Sequence, residues 1–269
     1  MRGKIFIHSS KAYSSKVTED LLRKKLDNVG FSVCNKFTSD ATLLVSIGGD
    51  GTFLDAIHKF DFPDIPIIGI NTGHLGFFEE IMPNQLDDFI FNYTNSKYSI
   101  QNLSTVQAIV KSQGATYTHT ALNEIVVRGK VTRSVHLNLS IGGSFIQRLS
   151  GDGLVVSTPA GSTAYNYSLR GGIVDPRLKL LQVTPIAPMN TTAYRSFTSS
   201  VLLPPDLSIE IAPDKGRHAE GENIQLFFDG FKAEHNSIDE IEVKFAEETV
   251  KLLRFESYDF WRKVKNKFL

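Results

Sequence analysis

The feature that most constrains the fold is a change in hydrophobic periodicity near residue 100. Before it, apolar runs such as KIFIH (4–8), TLLVSI (42–47) and IPIIGI (65–70) alternate with segments of helical spacing. Apolar strands separated by helices are typical of a parallel sheet that is covered on both faces. Residues 1–100 are therefore predicted to form a small, doubly wound α/β domain.

Apolar residues at helical spacing indicate three helices in this first part. The first is predicted over residues 17–29 and stops at Gly30. The second is predicted over TFLDAIHKF (52–60), and the third is expected to open at Pro83. Each of these helices follows or precedes an apolar strand, as a doubly wound sheet requires.

From about residue 101 to residue 254 the helical spacing mostly disappears. Short runs such as TVQAIVKS (105–112), VHLNLSIGG (135–143) and IEVKFA (241–246) replace it, separated by glycine, proline and Asn or Asp. Such runs are typical of antiparallel strands. Residues 101–254 are predicted to form a β-sheet-rich domain, with one helical patch at GSTAYNYSLRGG (161–172).

The tail YDFWRKVKNKF (258–268) is amphipathic, which predicts a C-terminal helix. We expect this helix to pack back on the first domain, so that residues 255–269 complete it. Its predicted apolar face consists of Phe260, Trp261, Val264 and Phe268. Its basic residues are interpreted as a solvated face and not as a nucleic-acid patch; they are Arg262, Lys263, Lys265 and Lys267.

Composition limits the function classes. Lysine and arginine balance aspartate and glutamate at 29 each, so no overall charge attracts the chain to nucleic acid or to an acidic membrane. The single cysteine, Cys34, excludes an internal disulfide, and the histidines lack metal-ligand spacing, so no protein-borne metal site is predicted. No run approaches the ~18 apolar residues that span a bilayer. We expect a cytoplasmic protein.

The loop SIGGDGTF (46–53) lies where a predicted parallel strand turns into a helix. Its glycines let the backbone approach a phosphate, and the helix N-terminus adds partial positive charge. The loop lacks the lysine of a Walker motif and the third glycine of the dinucleotide fingerprint. Asp50 could cap the helix. It could instead bind magnesium beside phosphates or take a proton from an attacking hydroxyl, which predicts phosphoryl transfer.

Four segments together resemble the bacterial type of NAD kinase, an ATP-dependent enzyme that phosphorylates NAD at the 2′-hydroxyl of its adenosine ribose. In chain order they are GGDGT (48–52), GINTGHLGF (69–77), LNEIVV (122–127) and GDGLVVSTPAGSTAYNYSLRGG (151–172). GGDGT also occurs in 6-phosphofructokinases and in diacylglycerol and sphingosine kinases, so the last segment is the most specific. The resemblance covers essentially the whole chain.

The resemblance implies a role for each matching residue. Asp50 would be the general base that activates the ribose hydroxyl, with Gly51 at the phosphates. Asn123 and Glu124 would hold ribose hydroxyls, an amide and a carboxylate being suited to that task. The other residues implied in binding are Phe77 and Phe78 at adenine, Thr163, Ala164, Tyr165, Asn166 and Ser168 at the adenosine site, Asp152 and Ala187 at the nicotinamide side, and Arg148.

The residue types also allow simpler interpretations. Phe77 and Phe78 suit core packing as well as stacking, the Asn-Glu pair suits a strand edge facing water, and the hydroxyls of residues 157–168 suit helix capping. The chain departs from the family pattern at Ala160, at Gly230 and Phe231, and before the GDG segment. Relatives often carry an arginine two residues before the aspartate of the GDG segment, where this chain has Ser150; Arg148 is the nearest arginine.

The sequence leads to one principal hypothesis: NAD and ATP give NADP and ADP, with Mg²⁺ carried by the nucleotide. The resemblance also implies a homotetramer, or a homodimer. Two alternatives stay open at this point. Another GGDG-type kinase, acting on a lipid or a sugar phosphate, would need a different acceptor pocket. A non-catalytic NAD(P)-binding sensor would keep the pocket and show no turnover.

Overall fold

The computed structural model describes residues 3–73, 76–130, 134–191, 195–214, 224–235 and 237–269. The first part of the chain alternates strands and helices. Its elements are β1 (Lys4–Ser9), α1 (Tyr13–Asn28), β2 (Ser32–Cys34), β3 (Leu43–Gly48), α2 (Asp50–Lys59), β4 (Ile67–Asn71), β5 (Glu79–Ile81), α3 (Leu86–Thr94) and β6 (Ser99–Ser112). A 3₁₀ turn, Pro83–Gln85, leads into α3.

The second part consists mostly of strands. Its elements are β7 (Ala115–Ala121), β8 (Glu124–Gly129), β9 (Val135–Ile141), β10 (Ser144–Gly151), β11 (Gly153–Ser157), α4 (Tyr165–Ser168), β12 (Leu181–Ile186), β13 (Val201–Leu203), β14 (Ile209–Pro213), β15 (Ile224–Phe228), β16 (Phe231–Lys232), β17 (Glu240–Arg254) and α5 (Phe260–Phe268). No helix in the described ranges is both long enough and apolar enough to cross a membrane.

The chain divides into two compact units. The first unit is Met1–Leu103 with Thr249–Leu269, and the second unit is Ser104–Glu248. The long strands β6 and β17 each contribute residues to both units.

The first unit is built on a parallel sheet. Its strands run in the order β2-β1-β3-β4-β17, and β5 also pairs with β4. Side chains of β1, β3 and β4 such as Ile5, Val45 and Ile70 are buried with Leu22 of α1 and Phe89 of α3 in one core. Since every strand pair is parallel, the carboxyl ends of β3 and β4 meet at one edge of the sheet. The predicted α/β architecture is confirmed.

The second unit contains two antiparallel sheets with a shared core. One has the strand order β10-β9-β14-β17, and the other has the order β13-β12-β11-β8-β15-β16. The hairpin of β6 and β7 adds a further antiparallel pair. Apolar residues of both sheets, among them Val127, Leu137 and Ile241, form one buried cluster. The prediction of a sheet-rich second part is also confirmed.

Two helix boundaries differ from the predictions. Helix α1 begins at Tyr13, one turn before the predicted start, because the buried Ser15 is held by a hydrogen bond to the Thr72 hydroxyl and not by apolar periodicity. The helical patch of residues 161–172 was predicted too long. It forms a 3₁₀ turn (Ala160–Thr163) and the single turn α4, and it ends before Arg170, whose φ of +64° lies in the left-handed region.

Helix α5 packs within the first unit, as predicted. The rings of Phe260 and Phe268 lie 6.1 Å and 5.8 Å from the ring of Phe77, and Val264 is buried. Trp261 was assigned wrongly to this face, since its side chain is 52% exposed. Positions 260, 264 and 268 are spaced by four and form one stripe, and position 261 lies at the edge of that stripe, about 100° around the helix from position 260.

Candidate active site

The glycine loop joins β3 to α2, and its aspartate does not cap the helix. Gly49 is the N-cap residue, and no side chain caps α2. Asp50 Oδ1 instead accepts hydrogen bonds from the backbone N–H groups of Phe77 (2.9 Å) and Phe78 (3.0 Å). The capping interpretation is therefore wrong. The carboxylate is held by the segment that follows β4, while Gly51 is exposed in the first turn of α2.

Helix α5 brings a lysine to this carboxylate. Lys267 Nζ lies 3.4 Å from Asp50 Oδ2 and 4.7 Å from the centre of the Phe77 ring. A cation in this position attracts the carboxylate and also interacts with the ring face. Lys267 is exposed, as the interpretation of the tail as a solvated face expects, and it contacts Asp50 as well.

A second lysine of α5, Lys263, is half-buried, so the interpretation of the tail as a solvated face is wrong for this residue. Lys263 Nζ donates hydrogen bonds to the carbonyl oxygens of Phe77 (3.1 Å) and Glu79. Burial, followed by the positive charge of Arg254, lowers the pKa of Lys263 to about 8. Positions 263 and 267 are spaced by four, so they lie on one stripe of the helix beside its apolar residues.

A buried carboxyl group stands next to Asp50. The side chain of Glu79 on β5 is buried, and its Oε2 atom and Asp50 Oδ1 would lie 1.8 Å and 2.4 Å from a Cβ added at Gly76. The absence of a side chain at Gly76 therefore lets the two carboxyl groups approach each other. Burial, followed by the negative charge of Asp50, raises the pKa of Glu79 to about 9.

Phe77 and Phe78 lie in the core of the first unit. Phe78 stacks on Phe53 of α2 with ring centres 4.8 Å apart, and Phe77 contacts the rings of α5. Both residues are nearly fully buried. Their described contacts are those of core residues, and an adenine contact stays a prediction.

In the second unit the Asn-Glu pair is buried at the start of β8. Asn123 and Glu124 are each 6% exposed, so the interpretation as a strand edge facing water is wrong. Asp229, in the turn between β15 and β16, holds the backbone here. Its carboxylate accepts hydrogen bonds from the N–H groups of Leu122 (2.7 Å), Asn123 (2.6 Å) and Glu124 (3.3 Å).

Two oxygen atoms of this pair are buried without a hydrogen bond to any residue that the structure describes. They are Asn123 Oδ1 and Glu124 Oε2. The Glu124 carboxyl group accepts a hydrogen bond from the backbone N–H of Tyr165, while burial and then the Asp229 charge raise its pKa to about 8. Because buried acceptors are normally satisfied, these atoms are suited to hydroxyl donors of a ligand.

The segment predicted at the adenosine site lies against the Asn-Glu pair. Thr158 Oγ1 donates to the Leu122 carbonyl at 2.6 Å, and a Cβ added at Gly161 would lie 2.0 Å from the Asn123 carbonyl oxygen. The chain can make this approach only with glycine at position 161. The 3₁₀ turn that follows brings Thr163, Ala164 and Tyr165 next to Glu124.

Two predicted residues of α4 have structural contacts. Asn166 is fully buried, and its Oδ1 accepts a hydrogen bond from Thr184 at 2.6 Å. Its Nδ2 makes no hydrogen bond within the described part of the chain. Ser168 is exposed and donates to the Tyr165 carbonyl at 2.7 Å, so it does not cap a helix start, contrary to the capping interpretation.

Arg148 already has an ion-pair partner. Its guanidinium lies 2.5 Å from the Asp214 carboxylate, and its side chain is 45% exposed. Ser150, where relatives often carry the arginine, is buried and forms a hydrogen bond with His136 Nδ1 at 2.7 Å. The space at position 150 is therefore filled by a small residue of the sheet.

The residues predicted at the nicotinamide side are neighbours. The N–H of Asp152 donates to the Ile186 carbonyl at 2.9 Å, next to Ala187, while the Asp152 side chain is exposed. Ala187 has a φ of +43°, which is uncommon for a residue with a side chain and aims its backbone groups away from the strand direction. Each site residue assigned from the sequence lies in the described ranges.

Sequence reasoning missed four residues of these clusters: Glu79, Lys263, Lys267 and Asp229. The spacing by four of the two lysines, aligned with the apolar stripe of α5, was a signal that could have placed them. Glu79 and Asp229 gave no local signal, since their partners come from distant positions. Among the described residues, no three His, Cys, Asp or Glu side chains come together as a metal site.

Comparison with known proteins gives matches to both parts of the chain. Residues 5–98 match the family model of the ATP-NAD kinase N-terminal domain, and residues 122–255 match that of the ATP-NAD kinase C-terminal domain. The chain is 36% identical over 251 residues to an NAD kinase of Finegoldia magna, covering 93% of this chain and 92% of that protein. It is 30% identical over 231 residues to an NAD kinase of Staphylococcus aureus, covering 84% of each.

Two solved structures are similar in fold. The yeast NADH kinase complexed with NADH has a TM-score of 0.85 and 19% identity, over 98% of this chain and 86% of that chain. An NAD kinase from Archaeoglobus fulgidus in complex with ATP has a TM-score of 0.76 and 22% identity, over 98% of both chains.

Proposed function

The chain belongs to the NAD kinase family, and we propose that it transfers the γ-phosphoryl group of ATP to the 2′-hydroxyl of the adenosine ribose of NAD. The products are NADP and ADP. The family and the enzyme class agree with those predicted from the sequence. The matches to both NAD kinase domains lend no support to a lipid or sugar-phosphate kinase or to a non-catalytic sensor.

The choice of NAD as the phosphoryl acceptor rests on the buried pair Asn123 and Glu124. Asn123 Oδ1 and Glu124 Oε2 have no hydrogen-bond partner in the described chain. The vicinal hydroxyls of a ribose supply two donors, which would satisfy these two acceptors. The neighbouring Thr163, Ala164 and Tyr165 are proposed to line the adenosine site.

Asp50 is proposed to act as the general base. It takes the proton of the ribose 2′-hydroxyl as that oxygen attacks the γ-phosphorus, and the bond to the β–γ bridging oxygen breaks to release ADP. The backbone N–H groups of Phe77 and Phe78 keep the carboxylate in one orientation. Lys267, at 3.4 Å, holds the other carboxylate oxygen.

The remaining assignments rest on family membership. Gly51 would contact the phosphates, and Mg²⁺ enters as part of the ATP substrate, where it neutralises phosphate charge. The proposal assigns phosphoryl transfer to the domain of residues 1–100 with 255–269, and dinucleotide recognition to residues 101–254. Adenine contacts of Phe77 and Phe78, nicotinamide-side contacts of Asp152 and Ala187, and ligand contacts of Asn166, Ser168 and Arg148 belong to the same proposal.

The proposed enzyme is a cytoplasmic homotetramer or homodimer. The cytoplasm supplies both substrates, and a single cysteine suits a reducing compartment. Sedimentation of the purified protein measures its oligomeric state, and a monomer at all concentrations would contradict this part of the proposal.

The test is NADP formation from NAD, ATP and Mg²⁺ by the parent protein and by Asp50→Asn. We expect kcat of the variant to fall by roughly 10²–10⁴-fold, the usual contribution of a general base, while the Kd for NAD stays near the parent value. Asp55→Asn is the matched control, because Asp55 lies on the same helix and contacts only His8 among the described side chains.

Two results would contradict the proposal. A parent protein that binds NAD and forms no NADP would exclude the kinase function. A parent that forms NADP together with an Asp50→Asn variant of unchanged kcat would exclude Asp50 as the base.

A further inference from the structure

A second carboxyl group in the Asp50 cluster has no role in the reaction as described above. Glu79 and Glu80 are adjacent on β5, and their side chains are both buried. Glu80 has strong partners, since it accepts hydrogen bonds from Arg254 (3.2 Å) and from the Phe255 N–H (2.6 Å). Glu79 is 2% exposed and has no such partner among the described residues.

Glu79 points at Asp50. Both carboxyl groups lie against the position that a side chain of Gly76 would occupy. The charged groups that face Glu79 are Asp50 from α2 and Lys263 from α5, and the Lys263 ammonium is engaged by the carbonyl oxygens of Phe77 and Glu79 itself. Lys267, also from α5, contacts the Asp50 carboxylate.

Two adjacent carboxyl groups in a buried site do not both ionise, because each negative charge opposes the other. The surroundings decide which member of the pair keeps the proton. Asp50 has two backbone N–H groups and the Lys267 ammonium as partners. Glu79 faces the Lys263 ammonium, but its burial and the Asp50 charge outweigh that cation and favour its neutral form.

We propose that Glu79 is a positioning residue that keeps a proton beside Asp50, so that the carboxyl pair carries one negative charge and that charge lies on Asp50. This inference rests on the proposed kinase function. The neutral Glu79 carboxyl lies beside Asp50 Oδ1, the atom that the backbone N–H groups hold, and it keeps a second negative charge from opposing the incoming phosphates.

The pH dependence of the reaction follows from this arrangement. Burial and the Asp50 charge raise the pKa of Glu79 to about 9. Above that pH the pair becomes doubly charged. The kcat of the parent is therefore expected to fall about tenfold per pH unit on the alkaline side, as for loss of one essential proton.

The test compares Glu79→Gln, Glu79→Ala and Glu80→Gln in pH profiles of NADP formation. Glutamine keeps the shape and the neutral charge of the protonated side chain and has no proton to lose. Glu79→Gln is expected to lack the fall of kcat near pH 9, and at pH 7 to exceed Glu79→Ala by roughly tenfold. Glu80→Gln is expected to keep the fall, since Glu80 faces Arg254.

A second measurement does not depend on turnover. Infrared spectra of the full-length protein in heavy water are recorded in a Glu124→Gln background, because Glu124 also has a raised pKa, of about 8. A protonated carboxyl band is expected at pH 7 that disappears near pH 9. In the same background the band should be absent when Glu79→Gln is added and present when Glu80→Gln is added. If the Glu79→Gln protein does not fold, the band in that background, with and without Glu80→Gln, still tests the proton.

The outcomes separate this inference from the proposed function. If the parent forms no NADP, the proposed function fails, and the infrared titration alone decides whether Glu79 holds a proton. If the parent forms NADP and Glu79→Gln keeps the same alkaline fall, the titrating group is Lys263 and the role of Glu79 is overturned. If the carboxyl band disappears already below pH 6, Glu79 holds no proton at pH 7, and the inference is overturned as well.

Discussion

At the scale of single residues, Asp229 holds the backbone at the start of β8 in the second unit. One carboxylate fixes the backbone of three successive residues, 122 to 124, that precede and begin β8. The Asp229 N–H also donates to the Glu124 carbonyl at 3.1 Å. The side chains of Asn123 and Glu124 are therefore oriented through their backbone, since a rigid main chain limits where each side chain can point.

We predict that Asp229→Ala weakens both stability and NAD binding. Three buried N–H groups lose their acceptor, and an unsatisfied buried donor costs roughly 1–3 kcal/mol. The expected result is a lower midpoint of thermal unfolding and a KM for NAD raised by about tenfold, measured by melting and by initial rates. Asp239→Ala is the matched control, because Asp239 accepts a single exposed N–H from Gln113. A parent-like KM and midpoint in Asp229→Ala would contradict this role.

At the scale of elements, helix α5 connects the C-terminus to the Asp50 cluster. One stripe of this nine-residue helix is apolar and contacts Phe77, and a neighbouring stripe carries Lys263 and Lys267. Asp259 caps its first turn by accepting a hydrogen bond from the Arg262 N–H at 3.1 Å. A short helix depends strongly on such a cap, since its own hydrogen bonds are few.

We predict that Asp259→Ala loosens α5 and reduces turnover. Loss of an N-cap costs about 1 kcal/mol, which corresponds to a lower unfolding midpoint by about 2–4 °C. Because both lysines lie on this helix, kcat is expected to fall up to about fivefold, the factor equivalent to that free energy. Asp259→Asn, which keeps the capping oxygen, should restore both values. An Asn variant as impaired as the Ala variant would show that capping is not the cause.

At the scale of the whole molecule, buried ionisable groups link stability to pH. Glu79 and Glu124 have pKa values raised to about 9 and about 8 from an ordinary 4.5, so the folded state binds protons that the unfolded state has released. The contribution of these two groups to the free energy of unfolding is fully present below pH 4.5. It is lost as the pH rises through their pKa values in the folded state. The lowered pKa of Lys263, about 8, acts in the opposite direction above that pH.

We predict that the free energy of unfolding falls between pH 6.5 and pH 8. Burial lowers the pKa of His119 and of His235 from the ordinary 6.5. Well above pH 6.5 these two residues therefore add little to the pH dependence of the free energy of unfolding. Each extra bound proton contributes up to about 1.4 kcal/mol per pH unit. The double variant Glu79→Gln/Glu124→Gln should flatten this slope in denaturant titrations, whereas Gln at the exposed Glu256 should leave it unchanged. An equally steep slope in the double variant would contradict the assignment.

The sequence by itself determined the architecture of both parts and the family of the chain. Strand and helix periodicity is a local property, so the α/β pattern of residues 1–100 and the strands of residues 101–254 could be predicted from neighbouring residues. The motif GGDGT and the segment 151–172 identified the reaction class. Their residue types resemble those of a phosphate site and of a dinucleotide site, and such types can be recognised without a structure.

Only the tertiary structure decided the surroundings of the reacting carboxylate. Asp50 and Lys267 are 217 positions apart, and Asp229 reaches back more than 100 positions to Leu122. Burial, and with it the proton on Glu79 and the lowered pKa of Lys263, depends on which distant elements cover a side chain. The burial of these side chains and their pKa values cannot be predicted from local periodicity, because charge and solvation act through space between residues that only folding brings together.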